Sequence, residues 1–333
     1  MADVEDIKMK RHLTYIIFGT TLLLGHFTFS VNLCVYASDV PHIAFSSKRS
    51  GNYDIYMMDI NGKNLEQLTD DPADEFDPTF SPDGQRMAYV SNRDGNLEIY
   101  VIYLPTKVFH RLTNHPARDD NPAWSPDGRW IAFDSNRAGP IDIYKIEPSG
   151  ENLQRLTHER DNNYNADWSP DGQSIVFAAK WAKNVDIYVM NADGGNLKRL
   201  TNEPQADNAP AWSPNGKQIA FSTALIGNRD IYIMNADGGK VRRLTHHPAV
   251  DWSPVWGPDG QSIVFHSKLE ANDDIYIMDV EGANRVIDKR RRLTRHVTKD
   301  QDPTGVPVGF FSVSPTANTY TTLWGRLKQS VHD

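Results

Sequence analysis

The sequence predicts an all-β protein, a six-bladed β-propeller whose blades each contain four strands. Three observations lead to this prediction: a motif that recurs every 44 residues, short β-rich runs separated by turn signals, and ends that complement each other. The composition agrees, since 39% of the 333 residues are hydrophobic and 20 Pro and 22 Gly are spread along the chain. Many short elements joined by turns fit these values better than a few long helices.

The repeat is marked by an acid-Ile-Tyr triplet that recurs at intervals of 44 residues. The six triplets begin at Asp54, Glu98, Asp142, Asp186, Asp230 and Asp274. A Leu-Thr pair follows each triplet at one spacing, except that the sixth pair, Leu293-Thr294, comes five residues late. A period of this length is typical of a propeller blade or of a helical repeat.

Local chemistry favours the propeller over the helical repeat. The fourth unit contains the β-rich runs "SIVFAA" at 174–179, "DIYVM" at 186–190 and "LKRLT" at 197–201, and no stretch keeps helical spacing for three turns. "SPDG" suits a type I turn, with Pro second and Gly fourth. "ADGG" supplies residues that accept the positive φ of a tight hairpin. Each unit is therefore predicted to form four short strands, the number in one propeller blade.

The two ends of the repeat region predict how the ring closes. The first copy begins at "HIAF" (42–45) and lacks its first strand, whereas "DPTGVPVG" (302–309) aligns with "DPTFSPDG" (77–84). We expect the C-terminal segment to supply the missing strand of the N-terminal blade, which removes the exposed edges of an open ring. The predicted propeller covers residues 38–315, with a tail at 316–333 outside the repeat.

The N-terminal segment 1–37 contains the only long apolar run, at 13–37. Three basic residues precede this run: Lys8, Lys10 and Arg11. Val35 and Ala37 lie three residues and one residue before a cleavage point ahead of Ser38, which predicts a secretory signal peptide and a periplasmic or secreted protein. An uncleaved membrane anchor is the alternative. Cys34, the single cysteine, lies inside the run, so a cleaved chain could form no disulfide.

The motif order "WSPDG…IAFxSNR…DIYxMNADGG…RLT" resembles the WD40-like PD40 repeat of the TolB propeller family, over about five-sixths of the chain. This resemblance implies a six-bladed propeller of the periplasm. The units lack the Gly-His and Trp-Asp dipeptides of true WD40 repeats. TolB carries a separate α/β domain before its propeller, which it uses with the Tol–Pal envelope machinery. Only a few residues separate the predicted cleavage site from the first strand here, so we expect a TolB-like propeller without that domain.

The repeated acids are predicted to be structural. A catalytic acid is needed once per site, whereas these acids occupy one strand position in all six copies. We expect them to accept hydrogen bonds from backbone N–H groups or from the facing turn, such as Ser91-Asn92-Arg93. The repeated Trp and Tyr side chains are expected to pack between neighbouring blades. Function is therefore expected where the copies differ.

The most variable segments join the outer strand of one blade to the inner strand of the next, and we expect them to surround one end of the central channel. The predicted ligand-binding residues are the acids and aromatics of these loops: Asp74, Glu75, Phe76, Asp119, Asp120, Asp161, Tyr164, Asp207, Asp251, Trp252 and Asp300. Phe76, Tyr164 and Trp252 occupy equivalent positions in three blades. Such a ring suits a cationic or sugar-like ligand or a protein segment. A solvated loop face is the alternative.

No catalytic residue, cofactor or metal site is predicted. The chain has no G-x-S-x-G elbow. Five loop histidines, of which only His246 and His247 are adjacent, are spread over the blades without metal-ligand spacing: His115, His158, His246, His247 and His296. The net charge of −8 argues against a nucleic-acid partner. The basic run Lys289–Arg292 is predicted to be a solvated charge run on the face opposite the variable loops, with a docking patch as the alternative.

The sequence thus predicts an exported, monomeric, non-catalytic scaffold that binds an envelope protein or glycan. A membrane contact is expected only through an uncleaved N-terminal segment. The alternative is a carbohydrate-active enzyme, of uronate lyase or glycosidase type, since some uronate lyases use similar repeats. An enzyme should show a few converging acids, histidines or arginines with shifted pKa values, whereas a binding module should show a broad ring with aromatic anchors.

Overall fold

A computed structural model describes the protein at residues 36–37, 41–158, 161–181, 184–270, 272–280, 290–307 and 311–312. All of them belong to a unit that spans Val35–Asp333. Every regular element in these ranges is a β-strand, and they contain no helix that is long and apolar enough to cross a membrane. Most of the predicted leader, the insertion of the last blade at 281–289 and the tail at 316–333 lie outside the described residues.

The strands form six four-stranded antiparallel sheets, here called blades 1 to 6 in chain order. The inner strands of blades 1 to 6 are Asp300–Val306, Glu75–Phe80, Asp119–Trp124, Asn163–Trp168, Asp207–Trp212 and Asp251–Trp256. The second strands are His42–Ser47, Arg86–Ser91, Ile131–Ser135, Ser174–Trp181, Gln218–Thr223 and Ser262–Ser267. The third strands are Asp54–Asp59, Glu98–Tyr103, Asp142–Ile146, Asn184–Asn191, Asp230–Asn235 and Asp274–Asp279. The outer strands are Glu66–Gln67, Val108–Arg111, Gln154–Arg155, Lys198–Arg199, Arg242–Arg243 and Arg291–Arg292.

The ring closes as the sequence predicts. The inner strand of blade 1 comes from the C-terminal segment and pairs antiparallel with His42–Ser47, so that His42 faces Val306 and Ser47 faces Asp300. A short ribbon, Tyr36–Ala37 paired with Phe311–Ser312, continues the contact between the two ends of the repeat region. The prediction of a six-bladed propeller is therefore confirmed, and so is the prediction that the C-terminal segment supplies one strand of the N-terminal blade.

The hydrophobic core lies between the blades. One cluster contains Ile99 and Val101 from blade 2 together with Ile131 and Phe133 from blade 3, all of them almost fully buried. Tryptophans of the inner strands cross the same boundaries, since the Trp168 indole N–H donates to the backbone carbonyl of a residue in the neighbouring blade at 3.2 Å. The aromatic repeats thus pack blade against blade, as predicted.

The repeated hairpin phrase "ADGG" is explained by its packing. The first glycine of the phrase, Gly194 in blade 4, has a φ of 90°, and a Cβ atom there would lie 2.6 Å from the Leu156 carbonyl oxygen of blade 3. In blade 5, Gly238 makes the equivalent approach to Leu200, at 2.9 Å. A side chain at either position would clash with backbone, so the hairpin requires glycine both for its conformation and for its contact.

The third-strand acids are braces between the third and outer strands. All six are at most 1% exposed. In blade 3, Asp142 accepts hydrogen bonds from the Arg155 guanidinium at 2.7 Å and from the Thr157 hydroxyl at 2.8 Å. Thr157 in turn accepts the Ile143 backbone N–H at 3.0 Å. Four further blades bond the acid to the equivalent arginine: Arg111, Arg199, Arg243 and Arg292.

The structural role predicted for these acids is confirmed, but the arginine partner was assigned wrongly. The guanidinium comes from the "RLT" segment of the outer strand and not from the "SNR" turn. In blade 1, Gln67 stands in the arginine position, and the Ser50 hydroxyl donates to Asp54 instead. An acidic residue recurs here because its carboxylate can accept hydrogen bonds from two donors of the outer-strand segment.

Substituting Thr157 with Val should lower the free energy of unfolding by about 1–2 kcal/mol, because a buried carboxylate and a buried N–H lose a partner. Thr157→Ser should recover most of this loss, since it retains the hydroxyl. Thr106→Val, at an exposed turn, is the matched control. Urea unfolding of the three variants measures the effect. Equal stability of Thr157→Val and the control would show that the brace does not stabilise the fold.

Candidate functional site

The candidate site is the central channel, which has a volume of about 740 Å³ and is lined by the inner strands of all six blades. Because each inner strand starts at the same level, side chains at equivalent positions form rings around the channel. The residues at the first three positions of each inner strand determine the chemistry of the channel.

The first-position residues are buried carboxylates in five blades. They are Glu75, Asp119, Asp207, Asp251 and Asp300, with Asn163 in blade 4, and each is at most 2% exposed. In blade 3, the Arg137 guanidinium bonds Asp119 at 2.7 Å and lies over the rings of Phe133 and Tyr144, 5.3 and 5.0 Å from their centres. Three more blades repeat this arrangement with the pairs Arg49–Asp300, Arg93–Glu75 and Arg290–Asp251. In blades 2 and 3 the arginine of the "SNR" turn, and in blade 1 the equivalent Arg49, therefore pairs with the inner-strand acid of its own blade.

Blade 4 replaces both members of the pair. Trp181 stands 44 residues after Arg137, and its ring lies 4.1 Å from Tyr188 and 6.5 Å from Phe177, where blades 1, 2, 3 and 6 place a guanidinium. The acid of this blade is the neutral Asn163. In blade 4 the charge is thus removed together with its partner.

In blade 6 the arginine that pairs with the inner-strand acid comes from a different segment of the blade. Arg290, next to the outer strand, bonds Asp251 through both terminal nitrogens, at 2.8 and 2.9 Å, and its side chain is 5% exposed. Arg291 donates to the backbone carbonyl of Ile60 at 3.0 Å, and Arg292 bonds Asp274. The prediction of a solvated charge run is therefore wrong for Arg290 and Arg292, which pair with buried acids, whereas Arg291 is exposed and Lys289 lies outside the described residues.

The predicted ligand-binding residues differ in how deeply they are buried. Glu75, Asp119, Asp207, Asp251 and Asp300 are the first-position acids described above, and their carboxylates lie within the blades. Asp74 precedes its inner strand and accepts the Tyr53 backbone N–H at 2.9 Å, and Asp161 lies exposed before the inner strand of blade 4. Phe76, Asp120, Tyr164 and Trp252 occupy the second position of four inner strands. Phe76, Asp120 and Gln301 line the channel, and we call the six second-position residues, which include Asn208 of blade 5, the channel mouth.

The third-position residues form a ring that the sequence analysis missed. All six have a positive φ, between 44° and 55°: Asp77, Asn121, Asn165, Ala209, Ser253 and Asp302. Each lies at a β-bulge in its inner strand, and each lines the channel. Asn and Asp tolerate this conformation better than other non-glycine residues. Their recurrence in four of the six copies is the sequence signal that could have revealed the ring.

Four carboxylates of the channel and its side pocket have raised pKa values, and one of them is Asp167, whose pKa burial raises to about 6. Burial raises the pKa of Asp134 to about 7, although its Oδ2 accepts hydrogen bonds from the Asn121 amide at 2.8 Å and the Asn165 backbone N–H at 2.9 Å. Burial likewise raises the pKa of Asp302 to about 6. Burial and then repulsion from Asp302 raise the pKa of Asp77. Within the described ranges, no three His, Cys, Asp or Glu side chains are grouped so as to hold a metal ion.

A side pocket of about 300 Å³ opens between blades 3 and 4, and we call it the blade 3–4 pocket. Its walls include Arg118, Asp120, Asn121, Asp134, Tyr164 and Asn165. The Arg118 guanidinium bonds the Asp120 carboxylate, and its side chain is 56% exposed. The pocket therefore combines two carboxylates, one guanidinium and one aromatic wall.

The other half of the mouth is organised around Arg229. Its guanidinium lies 4.4 Å from the ring centre of Trp252, and Trp252 stacks on His266 with ring centres 6.5 Å apart. Burial lowers the pKa of Arg229, and burial followed by the charge of Lys268 lowers the pKa of His266 to about 3, so this imidazole is neutral at pH 7. The mouth is thus chemically asymmetric, although the ring that carries it is regular.

Fold and channel together define a TolB-type propeller. The profile of the family described as the TolB beta propeller domain matches residues 13–97, 75–208 and 182–309. The chain therefore belongs to this family. No protein with a curated description is similar enough in sequence to match.

Solved structures with the same fold include two TolB proteins. TolB from Acinetobacter baumannii is 24% identical with a TM-score of 0.73, and the match covers 81% of this chain and 68% of that one. A putative TolB from Agrobacterium tumefaciens is 23% identical with a TM-score of 0.66, covering 81% and 98%. An oligogalacturonate lyase from Vibrio parahaemolyticus is 16% identical with a TM-score of 0.55, covering 77% and 75%. At these identities the likeness concerns the fold.

Proposed function

We propose that this chain is an exported, non-catalytic, TolB-like binding scaffold that holds a protein segment or a glycan of the cell envelope at the channel mouth. The observation that carries the proposal is the contrast between a repeated frame and a mouth that differs in every blade. Braces, turns and core recur with the 44-residue period, whereas the second position reads Gln301, Phe76, Asp120, Tyr164, Asn208 and Trp252 around the ring.

The side chains of the mouth suit ligand binding. Aromatic side chains supply large contact areas at little entropic cost and dominate many binding sites. Acids, amides and arginines between them can fix the orientation of a polar ligand. The scaffold beneath is rigid, because every blade is braced by buried hydrogen bonds, so binding requires little ordering of the protein.

Export is proposed from the apolar run at 13–37 and from membership of a family whose TolB members work in the periplasm. Mature protein isolated from the periplasm of the native host should begin at Ser38, as N-terminal sequencing would show. Full-length chain in the membrane fraction would support the anchor instead. Intact protein in the cytoplasm would contradict export.

Alanine substitutions at the mouth should weaken capture of the partner. We expect Trp252→Ala and Tyr164→Ala each to reduce the affinity for a partner purified from envelope extract by roughly tenfold, the effect of losing an aromatic anchor. Tyr103→Ala is the matched control, since Tyr103 is 39% exposed at the end of a third strand. Surface plasmon resonance on the folded variants measures the affinities. Equal loss in the control, or no loss at the mouth, would contradict binding at this site.

A second candidate is a carbohydrate-active enzyme, favoured by one observation. Asp134, Asp302 and Asp77 all line the channel or its side pocket, and burial raises the pKa of each. A carboxylic acid with a pKa near 7 suits general acid catalysis of glycoside cleavage. Turnover of acidic and neutral polysaccharides, followed by reducing ends and by the absorbance of unsaturated products, tests this candidate. An enzyme should lose at least roughly 100-fold in rate on Asp134→Asn or Asp302→Asn. If the wild type turns over none of these polysaccharides, the enzyme candidate is rejected and the binding scaffold is retained.

A further inference from the structure

Asp134 is a buried acid that the repeat does not explain. Its equivalents at 44-residue intervals are Ser46, Val90, Ala178, Ser222 and His266. None of them is acidic, so the propeller forms in the other blades without a carboxylate at this position. Asp134 is only 3% exposed, and burying a carboxylate is unfavourable without compensation.

Only one oxygen of Asp134 is used within the fold. Oδ2 accepts two hydrogen bonds, from Asn121 and from Asn165 of the next blade. Oδ1 is buried and has no hydrogen-bond partner among the described residues. The residue lines the blade 3–4 pocket. Several other buried carboxylate oxygens also lack a partner among the described residues, but Asp134 lines a pocket, so a donor from outside can reach its Oδ1.

The charge of the pocket selects the kind of donor. Asp134 and Asp120 contribute two carboxylates against the single guanidinium of Arg118, which lies on the open side with 56% of its side chain exposed. Asp77 of the channel adds a further acidic charge close enough to interact with Asp134. When Asp134 is ionised, the pocket carries one carboxylate more than it has guanidinium groups, so a cation then gains more than a neutral hydroxyl on entering. The Tyr164 ring offers a wall for the apolar stem and the charge of such a group.

We infer that the blade 3–4 pocket binds a primary ammonium group, as carried by a lysine side chain of a partner segment, with Asp134 Oδ1 as its buried acceptor. Asp120, which now pairs with Arg118, supplies a second acceptor at the rim. This inference rests on the proposed function, since it assumes that a protein segment lies across the channel mouth. The inference identifies lysine as the side chain that would anchor such a segment.

Calorimetric titration with Nα-acetyl-lysine amide tests the inference. The wild type should bind this probe and should not bind the same compound acetylated at Nε. Asp134→Asn should lose affinity by roughly tenfold or more, because an amide N–H₂ replaces the acceptor while the amide oxygen can keep the inter-blade hydrogen bonds. Asp167→Asn is the matched control. Asp167 is a half-buried carboxylate of the channel, and its Oδ2 accepts the Trp212 backbone N–H at 2.7 Å; it does not line the blade 3–4 pocket.

Three results would overturn the inference: no binding of the amine by the wild type, equal binding of the Nε-acetylated probe, or equal binding by Asp134→Asn. Glucose and glucuronate are titrated in parallel, and binding of either in preference to the amine would assign the pocket to a sugar and also contradict it. A separate measurement distinguishes failure of this inference from failure of the proposed function. Loss of partner capture on Trp252→Ala would still support a binding mouth, even where the ammonium pocket is disproved.

Discussion

Replacing Arg137 with Trp should destabilise the protein by about 3–5 kcal/mol, because the substitution leaves the Asp119 carboxylate buried without a cation. Asp119 is 0% exposed, and its ion pair with Arg137 has an N–O distance of 2.7 Å. The guanidinium also packs on Phe133 and Tyr144, and the indole can replace that contact. The loss should therefore come almost entirely from the unpaired charge.

Adding Asp119→Asn to Arg137→Trp should recover most of the lost stability, to within roughly 1 kcal/mol of the wild type. Blade 4 already contains this combination as Asn163 and Trp181, with the same aromatic pair beneath the indole. Urea unfolding of the wild type, both single variants and the double variant forms a double-mutant cycle. A double variant as unstable as the sum of the singles would show that the two positions do not act as a unit.

The second large effect concerns pH: the free energy of unfolding should fall as the pH rises from about 4 to about 8. Asp134 has a folded-state pKa of about 7 against an ordinary value of 3.8. Between these values the folded chain holds a proton that the unfolded chain releases, so each rise in pH favours unfolding. A difference of this size corresponds to as much as roughly 4 kcal/mol, fully lost above the folded pKa. Asp302 and Asp167, both with a pKa of about 6, act in the same direction.

Asp134→Asn should flatten this profile and should be more stable than the wild type at pH 8, since the amide cannot ionise. Thermal unfolding midpoints at pH 5 and pH 8 measure the difference. Asp161→Asn, at an exposed loop acid, is the control and should leave the profile unchanged. A wild type more stable at pH 8 than at pH 5, or a variant with the wild-type profile, would contradict the assignment of the titration to Asp134.

Most of the fold could be predicted because a repeat presents each element six times. The strand order, the turn at "SPDG" and the closure by "DPTGVPVG" all follow from local patterns that recur at one spacing. Repetition also identified the third-strand acids as structural, since a catalytic acid need not occur in every blade. The partner of each acid could not be read in this way, because "SNR" and "RLT" both offer an arginine in the same units.

The candidate site was harder to predict, since it depends on side-chain direction rather than on pattern. The β-bulge at the third position turns Asp77 and Asp302 toward the channel, and nothing in a strand of ordinary alternation indicates that turn. Asp134 lies within a strand that reads as apolar core, "IAFDS", and its burial beside Asn121 and Asn165 arises from the meeting of two blades. Contacts between distant segments of this kind are fixed only by the assembled ring.

The inner strand of blade 1 also sets the order in which the molecule can fold. His42–Ser47 comes at the start of the ring and pairs with Asp54–Asp59 on one edge, but the partner of its other edge is Asp300–Val306, so that pairing spans almost the whole propeller. A chain that emerges from its N-terminus therefore carries an unpaired strand edge until the last blade has been made. Contacts of such long range slow folding and prolong the exposure of aggregation-prone edges. Once formed, the same pairing joins the first and last blades, so that neither end can fray without opening the ring.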